Sequence, residues 1–502
     1  MSNSDALEKL LKSSREIAAY QSIEELLNWD QRTQMPKKAA EYRAEQITLL
    51  SGLIHDKMTC PDRGEWLESL EQNGDVDLES DEGVNVSRLA RQYHKERKVP
   101  KKLVEELAKT RVLAHESWVQ ARAENDYSIF APHLQTIVDL LKDKTEAIGY
   151  ETCAYDVLVD DYEPDAKSDQ IEQVFADLRE ELVPLIEEVR SSEKQPRSEI
   201  VGRKFNVDRQ REVGIRAARA IGFDFDAGRL DVTHHPFCCT VGPSDCRITT
   251  RYDETHFNTA FFGTLHEAGH GLYEQGLRKD QFGLPTGEYC SLGIHESQSR
   301  LWENMVGRSL PFWNFFYPEI QKSFPDCVGD VSLSEFFGAV NLVEPSLIRV
   351  EADEATYSLH IIIRFELERE LFAGAVSVSD LPDAWRSKYQ QYLGVSSETD
   401  SDGVLQDVHW CEALFGYFPT YALGNLYAAH FYEAAEAELG SLADQFKEGA
   451  FQPLLDWLRR NVHMVGKSKS AIDILKSAAG CDLSHKPMIG YLRKKYEMIY
   501  GI

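Results

Sequence analysis

TAFFGTLHEAGHGLYEQG, residues 259–276, sets the pentapeptide HEAGH between apolar runs on both sides, the pattern of a helix that passes through a protein interior. At about 100° per residue, side chains four apart lie only about 40° from one another, so His266 and His270 can offer a nitrogen each to one cation. Glu267 is rotated about 100° from His266 and about 60° from His270, bordering the cation without being forced to ligate it. That is the position of a general base that takes a proton from water as it attacks a carbonyl.

A catalytic zinc needs a third protein ligand, and a second helix is predicted in CSLGIHESQSRLWEN, after a turn at Leu284-Pro285-Thr286-Gly287. Glu296 is the expected ligand because it completes a His₂Glu set; His295 is the competing choice. Such a set binds one divalent cation per chain, Zn²⁺ above all by its donors.

Working outward, residues 1 to about 225 read as helices only. Leu7, Leu10, Leu11 and Ile17 mark an amphipathic helix over 5–26, Pro100 starts another reaching Glu124, and Ser168 with Asp169 predict a cap for a third. Between Gly228 and Tyr252, β-branched residues around Gly242-Pro243 predict a small hairpin. Helical periodicity then returns to the C-terminus, with breaks near Pro285, Pro311, Pro345, 396–403 and Gly466. No inter-domain linker interrupts the pattern, so a single catalytic domain over 1–502 is expected, with the metal and substrate motifs in 228–425. The acidic run Gln72–Gly83 reads as a solvated loop.

Composition narrows the function. With 55 Lys+Arg against 83 Asp+Glu the net charge is −28, which repels nucleic acid and anionic membrane surfaces. No apolar run is long enough for a membrane span, and the acidic start lacks a signal peptide's basic region, so a cytoplasmic protein is expected. The nine cysteines include no CxxC pair, and Cys238-Cys239 reads as packing.

The remaining motifs are LLNWDQRTQMP (26–36), RAEQ (43–46), HPF (235–237), DCRIT (245–249), HESQ (295–298), IRVEAD (348–353), GVLQDVHW (403–410) and FGYFPTYALG (415–424). In this order, over almost the whole chain, they resemble the carboxypeptidase Taq, or thermostable carboxypeptidase 1, family of HExxH metallocarboxypeptidases. The resemblance implies a mostly helical metallopeptidase with a deep groove, a small sheet along its wall at about 228–253, and a homodimer. It implies removal of single residues from peptide C-termini with broad specificity, using Zn²⁺ or, as an alternative, Co²⁺, with His266, His270 and Glu296 holding the metal and Glu267 as catalytic acid/base.

The other motifs supply candidates for peptide recognition. Arg349 is the leading anchor for a terminal carboxylate, at the start of a helix expected over 349–371, with Glu351, Asp353 and Glu354 able to orient it. Arg247, with Asp245 and Thr249 on one strand face, can line the groove, or Asp245 can simply pair with Arg247. His409 is preferred over Tyr417 and Tyr421 as donor to the oxyanion, with Gln406 and Asp407 orienting it, and His235 reaches substrate or closes the hairpin. Two other functions share the HExxH helix: an oligopeptidase cutting internal bonds, and a silent peptide-binding homologue. Dependence on a free substrate carboxylate separates the first, and an intact Glu267 argues against the second.

Overall fold

The computed structural model describes residues 3–73, 77 and 79–502. Part of the acidic run, residues 74–76 and 78, lies outside them. Among the described residues every element before Gly228 is a helix, beginning with α1 (Asn3–Thr33), and the expected helix after Pro100 spans Lys101–Glu124. The cap expected at Ser168 is absent: Lys167 holds that position, and the Ser168 N–H is taken instead by Asp156 Oδ1 at 2.8 Å.

Strands β1 (Gly228–Val232), β2 (Cys238–Gly242) and β3 (Asp245–Thr250) form one sheet in the order β1-β3-β2. The expected hairpin is β2 and β3, but β1 adds a parallel neighbour on the far side of β3. Thr249 helps hold β2 on its side of β3, because its hydroxyl bonds both the Phe237 N–H and the Phe237 carbonyl. The same contact fixes the HPF segment. Trp29 of α1 lies against this sheet between two guanidinium groups, Arg247 at 4.2 Å and Arg229 at 4.9 Å from its ring centroid. Arg32 adds a stack on Phe237. Three motifs far apart in sequence, NWDQR, HPF and DCRIT, thus form one contact.

Helix α2 (Phe257–Gly276) carries HEAGH through the interior, with Phe257, Phe261, Phe262, Leu265, Ala268 and Leu272 all buried. Helix α3 (Leu292–Arg300), capped by Ser291 Oγ, continues into a π-helical turn over Leu301–Gly307. Further on come α4 (Tyr357–Ala373) and α5 (Pro419–Leu439). Two glycines fix how closely α3 is gripped. A Cβ on Gly269 of α2 would lie 2.6 Å from Ser299 Cα, and one on Gly424 of α5 would lie 2.5 Å from Glu296 Cγ. Any larger residue would push α3 away from its neighbours and move Glu296 with it.

The helix expected over 349–371 begins later. Arg349–Glu351 is an isolated 3₁₀ turn and α4 starts at Tyr357, because Asp353 accepts the N–H groups of Ala355 and Thr356 and ends the preceding segment. The main hydrophobic core runs from Ala114 to Tyr500, and a second, smaller core joins α1 to the helices Pro61–Asn73 and Asp81–Lys98. Among the described residues no helix is long and apolar enough to cross a membrane.

Candidate metal centre and active-site groove

His266 and His270 of α2 and Glu296 of α3 bring three ligand atoms within 4.8 Å of one another. Glu296 Oε2 faces His270 Nε2 at 3.4 Å and His266 Nε2 at 3.8 Å. Two imidazoles and one carboxylate whose ligand atoms converge suit a divalent cation of the zinc type. His295 is not part of this set, since its Nε2 bonds Glu274 Oε1 at 2.8 Å.

The outer nitrogens fix the tautomers. His266 Nδ1 lies 2.9 Å from Glu303 Oε2 and therefore carries the proton, leaving Nε2 free. His270 Nδ1 has two acceptors, the His295 carbonyl at 3.1 Å and His295 Nδ1 at 2.6 Å. With His295 donating from Nε2 to Glu274, its Nδ1 accepts, so His270 also presents a bare Nε2. Thr240 of β2 steadies Glu274 from the sheet at 2.9 Å.

The carboxylates are held charged by a buried arginine. Arg300 Nε donates to Glu296 Oε1 at 2.6 Å and Nη1 to Glu303 Oε2 at 3.3 Å, while its guanidinium stacks 4.0 Å from the Tyr357 ring. Burial pushes both carboxyls up, but Arg300 and the histidines outweigh it: Glu296 falls far below the usual carboxylate range and Glu303 falls to about 2. Burial likewise drives His270 down to about 3, so it stays neutral. Glu267 differs from both neighbours. It faces the groove with no hydrogen-bond partner among the described residues, and burial pushes it up to about 7.

The groove above these residues encloses about 620 Å³ and includes Tyr417 and Tyr421 in its wall. Behind Tyr421 sits a buried network on the loops before α4 and α5. Asp407 Oδ1 accepts Arg349 Nε at 3.0 Å and Nη2 at 2.8 Å, and Asp407 Oδ2 takes Arg364 Nε at 2.5 Å. Arg349 Nη1 donates to Tyr357, the ring on which Arg300 stacks. Gln406 accepts from the Arg349 backbone N–H and from Arg364. The acids expected to orient Arg349 do other work: Asp353 caps backbone, Glu354 pairs with Lys495 and Glu351 faces Arg251.

His409 lies behind the tyrosines, its Nε2 3.4 Å from the Tyr421 hydroxyl and its buried Nδ1 3.9 Å from Asp407 Oδ1, with no hydrogen-bond partner among the described residues. Burial and Arg349 push it down to about 3, so it is a neutral imidazole. On the sheet side, Arg247 forms a bidentate pair with Asp245 and stacks on Trp29, Thr249 is committed to Phe237, and His235 is exposed. These four, with Arg349, Gln406, Asp407 and His409, lie outside the lining of the groove around the metal ligands. Sequence reasoning missed Glu303, Arg300 and Tyr357. Glu303 carried a signal, a carboxylate seven residues past Glu296 on the same helical face; Arg300 and Tyr357 carried none.

The family model described as carboxypeptidase Taq (M32) metallopeptidase matches residues 9–496. The chain belongs to this family. It is a metal-dependent carboxypeptidase, a hydrolase of peptide bonds. It is 47% identical to thermostable carboxypeptidase 1 of Thermus thermophilus, covering 99% of both chains, and 40% identical to carboxypeptidase 1 of Bacillus subtilis, covering 97% of both. The M32 carboxypeptidase from Deinococcus radiodurans R1 superposes with a TM-score of 0.96 at 40% identity, over 99% of this chain and all of that one.

Proposed function

We propose that His266, His270 and Glu296 hold the metal of this carboxypeptidase, that Glu267 moves the proton, and that Arg349 receives the substrate's terminal carboxylate. The observation that carries this reading is the unpartnered, groove-facing Glu267 beside three converging ligand atoms. A divalent cation bound there, zinc or in its place cobalt, supplies Lewis-acid polarisation of the scissile carbonyl and lowers the pKa of water. Glu267 takes the proton of the attacking water and delivers it to the leaving amine nitrogen, so hydroxide adds to the carbonyl carbon and the C–N bond breaks.

Arg349 has five N–H donors, of which Asp407 takes two and Tyr357 one, leaving an N–H on each terminal nitrogen for a carboxylate. Tyr421, between Arg349 and the groove, is the better placed oxyanion donor, with Tyr417 beside it. His409 then acts through the Tyr421 hydroxyl rather than on the substrate. This moves the donor role from His409 to a tyrosine. Broad side-chain specificity, a homodimer and a cytoplasmic location are parts of the same reading and rest on the family resemblance.

The test is a mass-spectrometric time course on a peptide with a free C-terminus and on its amidated twin, each with and without chelator. Stepwise loss of single residues from the free form alone, stopped by chelator and restored by Zn²⁺ or Co²⁺, is expected. Cleavage of the amidated twin at the same rate would remove the carboxylate anchor.

A further inference from the structure

A second cavity, of about 550 Å³, lies between α1, the helix Asp81–Lys98 and the C-terminal segment around Lys467–Ala471. It falls at the seam between the small N-terminal core and the main one. In a chain of net charge −28, its lining carries Lys and Arg in excess of carboxylates. Much of that charge is neutralised within the wall, where Arg91 and Lys95 pair with Asp160, and Lys144 with Asp161.

Three cations are neutralised least. Among the described residues Arg63, only 6% exposed, has no carboxylate within ion-pair distance, donates from Nη2 to Ser14 Oγ at 3.1 Å, and has no partner for Nη1. Arg88 reaches Asp165 only at 3.8 Å and donates Nε to the Lys467 carbonyl at 3.1 Å, and Lys469 donates to Ser477. An unpaired buried guanidinium is unfavourable unless an anion meets it, and burial already lowers the Arg63 pKa. Ile17, Met58, Val99 and Ile148 add apolar wall beside the charge, so the cavity suits a carboxylate on an organic stem better than a bare inorganic ion.

The cavity adjoins the groove at the metal ligands, and Ala18, Gln21, Gly283 and Glu288 line both. Tyr421, which covers Arg349, is part of the groove wall on the α5 side, and Gly283 and Glu288 belong to the segment that leads to the cavity. A peptide with its carboxylate at Arg349 and its scissile bond at the metal ligands therefore extends its N-terminal side toward Gly283. We infer that the Arg63 cavity is a distal subsite that receives acidic side chains of the peptide, upstream of the bond being cut. This inference rests on the proposed roles of Arg349 and the metal ligands.

The experiment uses the metal-loaded enzyme and ten-residue peptides that share one C-terminus, with a single Glu walked through the upstream positions and a Gln twin of each. kcat/KM for release of the first residue is expected to favour Glu over Gln at least fivefold at one or two adjacent registers. The preference should collapse to about one in Arg63→Gln and shrink in the surface variant Lys469→Gln, which guards against a folding defect at Arg63. A Glu/Gln ratio near one at every register, with release proceeding normally, overturns the subsite and leaves the carboxypeptidase mechanism standing. So does Arg63-dependent binding of succinate or inorganic phosphate together with that flat profile, which makes the cavity a site for free anions. If no residue is released, the mechanism fails; calorimetric binding of the Glu and Gln peptides to the Glu267→Gln protein then decides the subsite separately.

Discussion

The groove has two walls that offer similar chemistry in different settings. Behind each, outside the groove lining, lies an arginine joined through Nε and Nη2 to an aspartate, Arg349 with Asp407 on the helical side and Arg247 with Asp245 on the sheet side. Arg349 is buried and uses only Oδ1 of Asp407, whose Oδ2 goes to Arg364, so an N–H on each terminal nitrogen of Arg349 stays free of Asp407 and Tyr357. Arg247 uses both Asp245 oxygens, stacks on Trp29 and ties α1 to the sheet. The pairing alone does not assign a role; what the free donors face does. On the proposed reading the helical wall performs recognition and chemistry, while the sheet wall packs against the first helix through Trp29.

The sharpest test of the helical wall is Glu267→Gln. Turnover is expected to fall by about three orders of magnitude while metal content stays at the wild-type level. Near-normal turnover in a metal-loaded variant would remove the base from that wall.

Next come the two arginines side by side. Arg349→Ala should lower kcat/KM on free-carboxylate peptides by roughly a hundredfold, the scale of losing a charge-assisted bidentate contact. Arg247→Ala should lower it by less than about threefold and instead reduce thermal stability through the loss of its contact with Trp29. Equal losses of activity would erase the distinction between the walls.

A smaller effect separates ligand from support. Glu303→Gln should weaken metal affinity about tenfold or somewhat more in a chelator competition, because His266 loses the carboxylate that fixes its tautomer. The sheet-side support, Thr240→Val, should change affinity less, since Thr240 reaches the metal only through Glu274, His295 and His270.

The smallest effect is in the pH dependence of stability. His463 is fully buried, bonds Gln298 Oε1 at 2.9 Å, and is driven by burial and Arg459 down to about 3. Its folded pKa lies below the unfolded value of about 6.5, so the unfolded chain binds the proton first. Its stabilising contribution is present above about pH 6.5 and is lost as pH falls toward 3, at about 1.4 kcal/mol per pH unit. Urea midpoints at pH 7.5 and 5.5 should differ in that direction, and less so in His463→Gln; an unchanged slope in that variant would exclude His463 as a source.

Much of this was legible in the chain. HEAGH needs only the helical period to bring two imidazoles together, and Glu296 follows from chain length and a turn. The small sheet was visible as a hairpin, because β-branched alternation around Gly242-Pro243 is a local signal. The parallel strand β1 was not, since it pairs with β3, Gly228 against Cys246 through Val232 against Thr250, past the intervening strand β2 and with no turn signal to mark it. Arg349 was legible as a residue but not in its setting. The acids beside it in sequence are drawn to backbone amides and other cations, while Asp407, 58 positions away, becomes its partner.

What the sequence determined by itself is therefore the short-range part: helix content, the imidazole pair, and the carboxylate one step off it. Those depend on periodicity, which is written locally. Tertiary structure alone decided which charges meet. Glu303 and Arg300 hold His266 and Glu296, Asp407 holds Arg349, and Arg63 has no carboxylate partner among the described residues, because in a buried setting an ion finds its partner by three-dimensional proximity and desolvation, neither of which sequence separation records.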